Sequence, residues 1–142
     1  MTRRTAHAAS LVALVVALVV VPAAFAGKGG HGGGGTSSGS SLSLVMVTDN
    51  NGDGLPNWGD QVTFKVSTSA AYPSVELDCA QNGTWVYAQI VGFYPTYFGT
   101  QTYTLKSYYW TGGAADCTAT LTTTSKNGSR TTLATMSFPV AA

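Results

Sequence analysis

Between Thr48 and Gln61 the chain reads Asp49-Asn-Asn-Gly-Asp-Gly-Leu-Pro-Asn-Trp-Gly-Asp60, the stretch in which oxygen-bearing side chains recur at a chemically useful spacing. On a twelve-residue calcium-loop template, Asp49, Asn51, Asp53, Asn57 and Asp60 take positions 1, 3, 5, 9 and 12. Gly54 falls at position 6 and Leu55 offers its backbone carbonyl at position 7. Calcium takes about six to eight oxygen ligands, and alternate side chains on a loop turned by glycine can converge to supply them. Two features depart from the template: Asp60 has a shorter arm than the usual glutamate, and the flanks read as strands rather than helices. The same residues also suit a plain connection, in which Asp and Asn bond their own backbone, Pro56 stiffens the chain and Gly52, Gly54 and Gly59 adopt unusual dihedrals. Both readings stay open on sequence alone, and calcium is the one cofactor the chain suggests.

A second set of residues is aromatic. Tyr94, Tyr97, Tyr108, Tyr109 and Trp110 exceed what a domain of this size must bury, and rigid ring faces can stack on sugars or anchor a protein. They form the candidate ligand surface. Catalysis has far less to work with. Beyond the leader described below, the one histidine, His31, lies among glycines, and the carboxylate pair Glu76 and Asp78 shares an outward face without an evident cleft. A non-enzymatic role is expected.

The compartment follows from the first residues. Arg3 and Arg4 precede an apolar run over 8–21, and Pro22-Ala-Ala-Phe-Ala26 ends in an Ala-x-Ala pattern, so a secretory signal peptide over 1–26 is expected, cleaved after Ala26. The run is short for a membrane span and nothing later is long and apolar enough, so no span is expected in the mature chain. Without the leader, five basic side chains face six acidic ones, a formal charge of about −1 with no basic patch. Nucleic acid is therefore a poor partner. An extracellular protein or glycan is the expected partner class, with the product released or loosely associated with the cell surface.

Residues 27–41 are glycine and serine rich and read as a flexible tether. From Leu42 to Ala142 the apolar period is two. Leu42, Leu44 and Met46 alternate with polar or smaller neighbours, as do Val62, Phe64 and Val66, then Val75, Leu77 and Cys79. Trp85 to Val91 has an ambiguous face, 92–100 reads as an aromatic loop, and Gln101 to Tyr108 reads as a strand with Tyr103 and Leu105 inward. In Asp116 to Thr124, Cys117, Ala119 and Leu121 face in; in Arg130 to Val140, Ala134, Met136, Phe138 and Val140 do. Asn82-Gly83 and Asn127-Gly128 each signal a tight hairpin. Pro139 places the last strand at an edge or past the ladder.

About seven strands, no helix and one Cys79–Cys117 disulfide predict an all-β, immunoglobulin-like antiparallel sandwich, with a small barrel or jelly roll as the alternative. The oxidising compartment favours the bridge, which falls on the third and sixth strands, whereas antibody domains bridge the second and sixth. Exposed edges of such a sandwich could also pair two copies.

The acidic loop followed by Gln61-Val-Thr-Phe-Lys-Val66 resembles the opening of immunoglobulin-like repeat modules in bacterial secreted and surface proteins, where an Asp/Asn/Gly loop ending in Gly-Asp joins the first two strands. The likeness spans about residues 42–68. It implies a sandwich acting as a stalk, spacer or adhesion domain, and does not imply the disulfide. Extracellular structure or adhesion, with calcium stabilising the loop, is the functional expectation; carbohydrate or protein binding, an inhibitor-like role included, through an aromatic surface is the alternative.

Overall fold

A computed structural model describes residues 39–142. The leader, His31 and most of the tether lie outside the described residues.

Seven strands form two antiparallel sheets, and no helix occurs among the described residues. The strands are β1 (Ser41–Thr48), β2 (Gln61–Ser67), β3 (Ser74–Gln81), β4 (Thr84–Gly92), β5 (Tyr103–Thr104), β6 (Ala115–Thr124) and β7 (Arg130–Val140). One sheet has the order β1-β2-β5 and the other β4-β3-β6-β7. Antibody constant domains place the fourth strand with the first, second and fifth. Here β4 pairs with β3 instead, because the two-residue turn Asn82-Gly83, with φ of 50° and 81°, folds the chain straight back. Among the described residues no helix is long and apolar enough to cross a membrane.

The inward positions expected from the period-two pattern are inward in the structure. Val62, Phe64, Val75, Leu77, Ala119 and Leu121 are buried, with Leu42, Leu44 and Met46 half-buried against them on the edge strand β1. Phe64 meets Tyr103 of its own sheet edge-on at 5.4 Å and Phe138 of the other sheet at a tilt, with centroids 6.3 Å apart. The Tyr103 hydroxyl crosses the sandwich to donate to the Val75 carbonyl at 2.8 Å, and burial pushes its pKa far above the ordinary phenol value.

Three single-residue bulges break the alternation. The registers skip Val47 in β1, Val86 in β4 and Leu133 in β7. At Val86 the extra residue leaves Val86 and Tyr87 both buried and turns Trp85 to the outer face. This is the physical origin of the ambiguous pattern of that segment. At β7 it buries Leu133, which the alternation omits.

One turn and one strand differ from expectation. Asn127-Gly128 does not repeat the first hairpin: only Gly128 has positive φ, at 83°. Its amide bonds the Ser125 carbonyl, and the connection spans five residues between β6 and β7. The strand expected from Gln101 to Tyr108 is reduced to β5, which pairs with β2 only at Gln61–Thr104 and Val62–Tyr103. Pro139 lies on β7, an edge strand, where a missing donor is tolerated.

Cys79 and Cys117 are bonded to each other, with a sequence separation of 38. They are direct cross-strand partners on β3 and β6, so the bridge lies within one sheet rather than between the two. Its stabilisation comes mainly from restricting the unfolded chain. Reduction, or the pair Cys79→Ala and Cys117→Ala, should lower unfolding free energy by about 3–4 kcal/mol. Urea melts with and without reductant check this, and an unchanged midpoint would refute it.

Candidate functional site

The acidic stretch is a structured connection between β1 and β2, divided into two parts by its hydrogen bonds. Asp49 accepts the amides of Gly52 and Gly54, both at 2.7 Å, and these glycines have φ of 75° and 77°. Only glycine takes such angles without strain, so the chain can wrap around one carboxylate. Asp53 Oδ1 accepts the Leu55 amide at 2.8 Å. That bond, opposed by some burial and reinforced by Asn57 and Asn51, holds the Asp53 carboxyl below its usual pKa.

Asn57 is buried, and its amide nitrogen lies 3.0 and 3.1 Å from the two Asp53 oxygens, 2.9 Å from the Leu55 carbonyl and 3.4 Å from Asn51 Oδ1. Four oxygens thus surround one NH2 group that has two hydrogens to give. Rotating that amide would put a fifth oxygen among them. The sequence template expects all six positions to converge, whereas the structure gathers Asn51, Asp53, Leu55 and Asn57 and commits Asp49 and Asp60 to backbone amides. Among the described residues no three His, Cys, Asp or Glu side chains form a metal-binding group. A calcium ion would therefore depend on amide and carbonyl oxygens beside Asp53, with water completing its shell.

Asp60 closes the stretch. It is 0% exposed, and its two oxygens accept the amides of Asn50 and Asn57, each at 2.9 Å. Gly59, at φ 92°, allows the Asp60 amide to turn back onto the Asn57 carbonyl. The segment 56–60 then joins both sheets. Gly59 donates to Leu105 and Leu105 to Asp60, while Trp58 donates to Ala141 and Ala141 to Pro56. The Trp58 indole N–H reaches the Trp110 carbonyl at 2.9 Å.

That last contact leads to the aromatic residues, which the structure sorts into three environments. Trp110, expected on a ligand surface, is instead 0% exposed: its indole donates to the Gly113 carbonyl and its ring meets Tyr87 edge-on at 6.3 Å. Tyr94 and Tyr97 are half-buried and pack on each other at 5.6 Å, with Tyr72 capping Tyr94 at 5.3 Å. Tyr108 and Tyr109 are 89% and 79% exposed and meet edge-on at 5.4 Å.

Tyr108 and Tyr109 flank a groove of about 460 Å³ together with Trp85, Ala88 and Gln89 of β4. Trp85, 76% exposed, was absent from the sequence-derived surface because its place on the outer face depends on the Val86 bulge. Ser107 sets the opposite wall. Its hydroxyl donates to the Val86 carbonyl and accepts the amides of Tyr109 and Trp110 at 3.1 and 3.0 Å. One hydroxyl therefore clamps the tyrosine turn to the bulge that exposes Trp85. Tyr87, below the groove, donates to Gln89 Oε1, and burial pushes its hydroxyl pKa up to about 12.

On the outer face of β3, Glu76 pairs with Arg130 at 2.8 Å. Partial burial and the neighbouring Glu76 raise the Asp78 pKa, and Arg130 offsets part of this. A carboxyl with a raised folded pKa opposes folding when ionised, and the penalty disappears as pH falls through that value. Asp78→Asn should therefore melt at a higher temperature at neutral pH, with the gain fading as pH falls toward about 4 and absent below it. Thermal melts across pH check the sign.

Asp60 gives a stronger prediction, since its replacement leaves two inward amides without full acceptance. Asp60→Ala should cost about 2–5 kcal/mol, while Asp53→Ala at the exposed part of the loop should cost far less without metal. Chemical denaturation of both variants in chelator makes the comparison. No protein-family model, curated protein or solved structure matches this chain.

Proposed function

We propose that the chain is an exported, non-catalytic module that attaches to an extracellular surface through the Trp85–Tyr108–Tyr109 groove, with the acidic loop as a calcium clip. The observation that carries the binding role is the exposure of three large rings in one groove whose walls are fixed by a bulge and the Ser107 clamp. Exposed aromatics cost solubility unless they contact something, and a wall held in place loses little entropy on binding. The leader pattern supports export, and the likeness of 42–68 to surface repeat modules supports an adhesive setting.

Calcium is supported by the five oxygens that Asn51, Asp53, Leu55 and a rotated Asn57 would present. An ion there would tie Asp53 to the segment that bonds Leu105 and Trp110, which support the tyrosine turn. Extracellular calcium is abundant enough to fill a site of about 10⁻⁴–10⁻³ M affinity.

Two measurements test this reading. Calorimetric titration should show calcium binding and a raised melting temperature in the wild type, both lost in Asp53→Ala; no heat at millimolar calcium would remove the clip. Cosedimentation of the exported chain with wall and matrix fractions of the producing cells should show binding that the Trp85→Ala, Tyr109→Ala pair reduces by at least about tenfold. Equal binding by the pair, with an unchanged melting curve, would remove the groove as the attachment face.

A further inference from the structure

Resting on that reading of the groove, we infer that its ligand is a neutral glycan, held by stacking of pyranose rings on Trp85, Tyr108 and Tyr109 and oriented by the Gln89 amide. The groove's chemistry selects this class. No charged side chain lines it, so it offers nothing to offset the desolvation of a uronate, sulfate or phosphate group or of a basic peptide. Its exposed large side chains are flat rings with a negative π face, complementary to the weakly positive C–H face of a sugar. A greasy peptide anchor would gain more from a deep aliphatic pocket than from rings standing 76–89% in solvent.

A sugar also needs polar groups, because its hydroxyls lose water on binding. Gln89 supplies one. Tyr87 donates to its Oε1, which fixes the amide orientation, and Nε2 has no hydrogen-bond partner among the described residues. That nitrogen is a donor available to a hydroxyl, and the Tyr108 and Tyr109 phenols can donate or accept. A volume of about 460 Å³ lies within the range of small-ligand sites, and its open form suits an internal segment of a chain as well as an end. The second ring cluster, Tyr72, Tyr94 and Tyr97, lies outside this groove and serves as an internal control.

The test titrates the exported chain with cellohexaose, xylohexaose and mannohexaose, with polygalacturonate as an anionic comparator, and reads tryptophan fluorescence and calorimetric heat. At least one neutral oligosaccharide should bind saturably. Trp85→Ala should weaken it by about tenfold, Tyr109→Ala by a similar factor, and Tyr72→Ala should leave it unchanged. Gln89→Ala should weaken binding, with a modest fall in melting temperature from the unpaired Tyr87 hydroxyl. No saturable binding by any neutral oligosaccharide at millimolar concentration, equal binding by Trp85→Ala, or preference for polygalacturonate would overturn the inference.

Periodate treatment of the wall fractions separates this inference from the reading beneath it. Ring-dependent attachment that is lost after the sugar diols are cleaved supports a glycan. Ring-dependent attachment that survives periodate but not protease overturns the glycan and leaves the binding module standing. Attachment independent of the rings overturns both.

Discussion

The Asp60 carboxylate, fully buried and shared between the amides of Asn50 and Asn57, is the interaction on which one end of the sandwich depends. A buried carboxylate is tolerable only where donors replace its water, and here the donors are backbone groups of the loop it closes. Their satisfaction fixes the path of 56–60. This short segment then bonds Leu105 after β5 on one side and Ala141 after β7 on the other. The two sheets are thus joined by main-chain hydrogen bonds at this end as well as by side-chain packing within the core.

The same constraint reaches the groove through a short series of contacts. Trp58 holds the Trp110 carbonyl, Trp110 fills the core beside Tyr87, and Ser107 anchors the intervening tyrosines to the Val86 carbonyl. Tyr108 and Tyr109 project because their neighbours on both sides are held inward. The acidic loop and the aromatic face are therefore neighbouring features of one end of the sandwich, although about fifty residues separate them in the chain. The Cys79–Cys117 bridge lies in the β3–β6 ladder toward this same end, with Cys79 paired to Tyr87 and Cys117 close to the Ala115–Val140 pair.

Much of the fold was legible because alternation has a direct physical cause. A strand with one buried face must place apolar residues two apart, and β2 and β3 obey this along their lengths, as β6 does up to Leu121, after which Thr122 is buried as well. Asn82-Gly83 was legible too, since both residues tolerate positive φ. Asn127-Gly128 carried the same signal with a different outcome, because a five-residue connection lets a turn form before the glycine. β5 was overestimated: Tyr103 and Leu105 are both inward as expected, but Leu105 finds its partners in Gly59 and Asp60 of the loop rather than in a continuing strand.

By itself the sequence determined the all-β class, the strand set, the bridged cysteines and the special character of 49–60, all of which follow from local periodicity, turn chemistry or residue type. Only the tertiary structure decided which aromatics face solvent and which loop oxygens meet. Trp110 and Tyr109 are adjacent and alike in type, yet one is swallowed by the core and the other stands outside it. Trp85 is exposed because of one extra residue, visible only against the register of its partner strand. Asp49 and Asp60 suit a metal template by spacing, yet their oxygens are taken by amides whose positions depend on the folded backbone. Spacing sets which groups are able to meet, whereas bulges, register and competing hydrogen bonds set which ones do.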